Sequence, residues 1–155
     1  MRKVLFFLLA LTVLVSCNND DDGIALNEGN FLIFGHFYGE CIGEGCVETF
    51  KLTGSKLYED TVDDYSGRET NFVELDNAVF EQVRDLADFF PDRLLNSEEQ
   101  FFGCPDCADG GGLMIQYSGM GVKRTWRIDQ AKDNVPVYLH GFIDKVNEKI
   151  ALINN

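Results

Sequence analysis

Apolar residues recur with two different periods in this chain, and the periods alternate along it. Residues 30–38 (NFLIFGHFY) put Phe31, Ile33 and Phe37 on one face of an extended chain and Leu32, Phe34, His36 and Tyr38 on the other. A strand apolar on both faces is covered on both sides. Residues 46–52 alternate, with Val47, Thr49 and Lys51 opposite Cys46, Phe50 and Leu52. Gly54-Ser55 turns the chain into a third strand at 56–62, and residues 72–75 give a short further one. The period then changes. Val79, Phe80, Val83, Leu86, Ala87 and Phe90 recur at spacings of three and four, behind a cap at Asp76 or Asn77 and ahead of Pro91. After a turn of helix and a loop at 92–100, the alternation returns. Leu113, Ile115 and Tyr117 predict a strand, 118–121 a turn, and 122–128 its hairpin partner. A last helix is predicted from a cap at Asn134, with Leu139, Phe142, Ile143, Val146, Ile150 and Ile153 as its stripe. The order hairpin, helix, hairpin, helix predicts an α+β fold. Its expected form is an antiparallel sheet of about four or five strands from two hairpins, with two helices packed on it.

The N-terminus follows different rules. Arg2 and Lys3 precede a twelve-residue apolar run, 4–15, interrupted only by Thr12. A bilayer-spanning helix needs roughly 20 apolar residues, so the run is too short for a good span and suits a secretory signal peptide. The alternative is a buried N-terminal helix, which would leave positive flank, apolar run and following cysteine as coincidence. Leu14-Val15-Ser16-Cys17 closes the run and resembles the lipobox of bacterial lipoproteins. That resemblance implies cleavage before Cys17 and acylation of its thiol, with palmitate among the expected chains. It also implies a membrane partner reached through the lipid and an address at the outer membrane, periplasmic or at the cell surface. One acyl chain gives only marginal attachment, and two or three suffice. The expected organisation is a signal peptide at 1–16, a lipidated acidic tether at 17–29 and one globular domain at 30–155. The NNDDD run at 18–22 resembles a surface-export signal of one Gram-negative phylum. It reads equally as a charged spacer.

Charge excludes some partners. The leader holds two of the 13 basic residues and none of the 26 acidic ones, which leaves a mature charge of −15. Such a surface repels nucleic acid and anionic lipid.

Five cysteines are an odd number for an exported chain. Assigning Cys17 to lipid leaves Cys41, Cys46, Cys104 and Cys107, an even set that suggests disulfides. Three pairings are open. The intervening Ile-Gly-Glu-Gly favours 41–46, because a hairpin loop there sets its flanking cysteines opposite each other. The region 41–57 also resembles small uncharacterised bacterial envelope lipoproteins, a likeness that implies no chemistry. Two alternatives use the same sulfurs. Cys104-Pro105-Asp106-Cys107 has the spacing of a redox dithiol, although glycines and a strand follow it where a helix would be needed to activate a thiol. All four thiolates together could hold structural zinc, with Cys104-x₂-Cys107 the better-spaced half; an oxidising compartment favours disulfides.

His36 sits among aromatics, and His140 lies one helical turn before Asp144. Neither has an identifiable nucleophile or carboxylate partner, so no hydrolytic triad can be assembled. Glu59, Asp60, Asp63 and Asp64 are too irregularly spaced for calcium and read as a solvated acidic turn. Residues 123–127 (KRTWR) concentrate three basic residues in an acidic chain. Arg124, Trp126 and Arg127 are candidates for holding an anionic ligand, with Trp126 as a stacking surface. The alternative is cross-strand pairing with acids such as Glu48 or Glu59. The sequence thus points to a non-enzymatic binding or accessory module of the envelope, without a required cofactor. Its partner would be an envelope protein or an anionic ligand. A thiol–disulfide redox protein using Cys104 and Cys107, or a purely structural lipoprotein, are the alternatives.

Overall fold

The strand apolar on both faces is the middle strand of the sheet. A computed structural model describes residues 23–43, 45–119 and 121–155, and Cys17 with its leader lies outside them. The fold is α+β. In chain order the strands are β1 (Phe31–Phe37), β2 (Val47–Leu52), β3 (Leu57–Asp60), β4 (Phe72–Glu74), β5 (Phe101–Phe102), β6 (Gly112–Gly119) and β7 (Val122–Asp129). They lie side by side as β4-β3-β2-β1-β6-β7-β5. Every pairing is antiparallel except β5 with β7. The sheet is therefore larger than the four or five strands expected, and mixed rather than antiparallel. The extra parallel strand has only two residues, too few to show any period.

Among the described residues three α-helices, not two, accompany the sheet: α1 (Asn77–Val83), α2 (Asp92–Asn96) and α3 (His140–Ile153). Asp76 caps α1 by accepting the Ala78 N–H at 2.7 Å. The α-helix expected to reach Phe90 tightens to 3₁₀ over Arg84–Phe89. Its last carbonyls are taken from outside, since Gly23 N–H donates to Phe90 O at 2.7 Å and Ile24 N–H to Ala87 O at 2.9 Å. α3 starts later than Asn134, whose side chain donates to Asp129 instead of capping a helix.

Strand alternation decides which residues meet the helices. Leu32, Phe34, Phe50, Leu52, Ile115, Tyr117, Trp126 and Ile128 form one core with Phe80, Leu86, Phe90, Phe142, Val146 and their neighbours. Ile24 and Leu26 pack against that core. These residues fall in the segment expected to be a tether, and they touch the domain's core. Between α1's extension and α3 the join is ionic. The Lys149 ammonium, 4 % exposed, sits 2.6 Å from Asp85 Oδ1 and donates to Gln82 O at 2.6 Å. Burial pushes the Asp85 carboxyl up, but Lys149 and Lys145 outweigh it and hold the group below its usual range.

Candidate functional site

The other face of the sheet carries no helix from this core. Alternation places Ile33, Gly35 and Phe37 of β1 there, with Thr49 of β2, Met114 and Gln116 of β6, and Lys123, Thr125 and Arg127 of β7. Residues 61–71, which join β3 to β4, cross this face as a strap. Aspartates fold the strap onto itself. Asp60 Oδ1 accepts from Val62 N–H and Asn71 N–H at 3.2 and 2.6 Å. Asp64 accepts from the Ser66 hydroxyl and from the Ser66, Arg68 and Glu69 N–H groups, which together depress its pKa.

Three contacts pin the strap at its far side. Tyr65 stands edge-on to Phe37 at 5.4 Å between ring centroids. The Tyr65 hydroxyl donates to Asp106 Oδ2 at 2.9 Å, and Arg127 donates to Tyr65 O at 3.0 Å. Asp106 is the hub. Its Oδ2 also accepts from Gly39 N–H at 2.9 Å and its Oδ1 from Gly111 N–H at 3.2 Å. The Gly39 bond, with those of Tyr65 and Gly111 and the nearby Arg127 charge, holds this carboxyl below its ordinary range despite some burial.

The cysteines shape the same end of the sheet. Cys41 is bonded to Cys46, with Cα atoms 5.6 Å apart, and Cys104 to Cys107, with Cα atoms 5.4 Å apart. The Cys104–Cys107 bridge encloses Asp106, which adopts a left-handed backbone with φ of 64°. Turning the chain this way aims the carboxylate at Gly39 and Tyr65. The motif stands in a loop between β5 and β6, and its second cysteine opens only a kinked three-residue 3₁₀ turn, Cys107–Asp109, so no α-helix begins at either sulfur. Two local bridges and a four-thiolate zinc site exclude each other. Among the described residues there is no group of three or more His, Cys, Asp or Glu side chains placed to hold a metal ion.

The basic candidates separate. Arg124 and Trp126 point to the helix face, and Arg127 to the strap face. Trp126 is 1 % exposed and packs 5.9 Å from the Phe90 ring, so it is a core residue and offers no stacking surface. Arg124 donates to Ser97 O at 2.9 Å and buttresses the segment before β5. Arg127 stacks its guanidinium 4.6 Å from the Phe37 ring centroid and 5.4 Å from that of Tyr65. The expected pairing with Glu48 or Glu59 is not made, because β7 neighbours only β6 and β5. Glu48 instead meets His36 at 3.4 Å and Asn154. Among the described residues neither Lys123 nor Arg127 has a carboxylate at ion-pair distance.

Strap and sheet enclose a cleft of about 270 Å³. Ile33 and Met114 give it apolar floor, while Thr49, Gln116 and Thr125 line it from the sheet and Ser66 and Thr70 from the strap. Lys123 and Arg127 stand on its β7 side. Sequence reading missed the strap and Asp106, since both belong to loops without a period. The two-residue alternation within 123–127 was the available signal that one strand could not show all three candidates to one ligand.

Removal of Asp106 tests the hub. In Asp106→Ala the bonds lost are partly exposed, so the stability cost is small, about 1 kcal/mol. The strap's amides should exchange with deuterium roughly tenfold faster, as expected for a locally opened segment. The wild-type strap should loosen the same way in acid. A depressed folded pKa stabilises above the ordinary carboxylate value of about 3.9, and that stabilisation is lost as pH falls through the lower folded value. Peptide-resolved hydrogen exchange reads both; unchanged exchange across residues 61–71 would show that Asp106 does not hold the strap.

No family model matches the chain, and no curated protein matches it. Among the described residues no helix is long and apolar enough to cross a membrane.

Proposed function

We propose that this chain is a lipid-anchored binding module of the cell envelope, tethered to the outer membrane through Cys17 and binding its ligand in the cleft under the strap. The anchor rests on the lipobox-like Leu14-Val15-Ser16-Cys17 and the short apolar run before it. The observation that carries the binding role is the pair Lys123 and Arg127 at a polar cleft. In a chain with 26 acidic residues, two cations at one cleft lack carboxylate partners among the described residues. Lys123 makes no ion pair among the described residues and Arg127 feels the Asp106 carboxylate without an ion-pair contact to it, so both remain suited to an incoming anion. The site is built for recognition: it gathers hydroxyls, an amide and cations, and its strap is pinned in place. The domain needs no membrane-binding surface of its own, because the lipid supplies attachment.

Substituting Cys17→Ser tests the anchor. Acyl chains contribute about 0.8 kcal/mol per buried methylene, so their loss should move essentially all of the protein from the membrane to the soluble fraction. Wild type should incorporate labelled palmitate and the variant none. A Cys17→Ser protein that still sediments with membranes, beside a wild type without label, would end this reading.

A further inference from the structure

We propose that the cleft beneath the strap selects a small hydroxylated monocarboxylate, of the size and chemistry of a sugar acid; this names the ligand class of the binding module proposed above and rests on that reading. Size comes first. A volume of about 270 Å³ lies just below the usual span of small-molecule sites, ~300–1,000 Å³, and matches a ligand smaller than a peptide or nucleotide. The lining comes next. The hydroxyls of Thr49 and Thr70 can donate and accept, as ligand hydroxyls do; Thr125, which donates to Gln116 Oε1 at 3.3 Å, keeps an acceptor lone pair and leaves the Gln116 NH₂ to donate, while the Ser66 hydroxyl is spent on Asp64 and Arg68. Ile33 and Met114 offer an apolar patch against which a C–H face can lie.

Arg127 selects the charge. Its guanidinium rests against both the Phe37 and Tyr65 rings and donates to one backbone carbonyl, so its orientation is fixed before any ligand arrives. A planar fork held this way matches a carboxylate. Lys123, four residues along the same face of β7, adds a second positive charge about 13 Å away along the strand. Its flexible stem lets it reach across the cleft. Asp106 lies near enough to Arg127 to feel its charge, but its oxygens already accept from Gly39, Tyr65 and Gly111.

A phosphate fits less well. Sites for dianions are commonly lined with free backbone N–H groups at helix N-termini or nests. Here the sheet's central strands spend theirs on the ladder. The chain's own negative field also costs a dianion about twice what it costs a monoanion.

Calorimetric titration of the full-length protein in detergent tests the proposal, with glucuronate, glucose and inorganic phosphate as probes. Glucuronate should bind saturably, and at least about tenfold more tightly than either other probe, a gap of ~1.4 kcal/mol. Lys123→Gln, at an exposed side chain without an ion pair among the described residues, should weaken glucuronate about three- to tenfold without altering the melting temperature. Thr125→Val keeps the strand shape and should weaken it similarly. Arg127→Gln should abolish binding. Equal binding of glucose, tighter binding of phosphate, or glucuronate binding untouched by all three substitutions would each overturn the ligand class. No saturation by glucuronate at about 10 mM, a Kd corresponding to ~3 kcal/mol or less, would do so too. Palmitate labelling of the same preparation separates the two readings: a labelled protein that ignores glucuronate refutes the ligand class and leaves the anchor, while an unlabelled one that binds it refutes the anchor alone.

Discussion

Phe90→Ala should cost about 3–5 kcal/mol of unfolding free energy, the largest loss expected from any single side chain here. The ring is fully buried and sits where two strands of the sheet meet α3. Its centroid is 6.1 Å from Tyr117 of β6, 5.9 Å from Trp126 of β7 and 5.5 Å from Phe142 of α3. Aromatic pairs contribute about 0.5–1.5 kcal/mol beyond area burial, so truncation removes contacts as well as opening a cavity. The surroundings cannot collapse easily. The Phe90 carbonyl is tied to Gly23 N–H at 2.7 Å, and Pro91 follows at once. For a domain of this size the loss corresponds to a fall in Tm of roughly 10–15 °C. The neighbouring Phe89 is the control. It is 43 % exposed and meets only the Lys145 ammonium among charged groups, at 4.5 Å from its ring. Phe89→Ala should cost about 1 kcal/mol or less. Urea titration with both disulfides intact reads the two values. Equal costs would mean that the ring cluster is not the centre of the core.

That contrast between adjacent phenylalanines was legible in the sequence, because a spacing of three and four picks out Phe90 and leaves Phe89 off the stripe. The same holds for the Asp76 cap, offered with Asn77 as the alternative, and for β1, whose apolar residues on both faces marked it as a strand covered on both sides. Legibility stopped where structure depends on partners distant in sequence. β5 exists because β7 offers it a parallel edge, and two residues cannot announce that. The 3₁₀ extension of α1 arises because residues 23–24 take its terminal carbonyls, a contact invisible to any local window. The packing of Ile24 and Leu26 was hidden for the same reason: two residues are too few to show a period, yet they pack on the core. At the site, the basic stretch 123–127 was visible in the sequence but read as one patch. Alternation along a strand divides it, sending Trp126 into the core and Arg127 to the strap. The strap's anchor, Asp106, was in view within the cysteine motif, where the sulfurs drew the attention and the carboxylate proved to make the contacts.

Gly35→Ala should be nearly as damaging as the loss of Phe90, though it adds one carbon. Gly35 lies in the middle of β1, opposite Thr49 on one side and Met114 on the other. A Cβ there would collide with the Glu48 carbonyl oxygen and lie 2.9 Å from Thr49 Cα. Both are backbone atoms, so no side chain can swing aside to make room. The strands must part instead, and β1 with β2 carries Phe34, Phe37 and Phe50 of the two faces. Overpacking of this kind costs about 1–3 kcal/mol and more where backbone must shift, so at least ~3 kcal/mol is expected. Because Thr49 and Ile33 line the cleft, ligand binding should fall with it. Gly141→Ala gives the opposite sign. It lies in the first turn of α3 with no atom within 4 Å of the added methyl. There alanine gains helix propensity and reduces the freedom of the unfolded chain, stabilising by about 0.5–1 kcal/mol. Measuring both substitutions in one denaturation series separates the two roles of glycine in this fold. If Gly35→Ala unfolded at the wild-type urea concentration, β1 and β2 could not lie as closely as described, and the floor of the cleft would have to be redrawn.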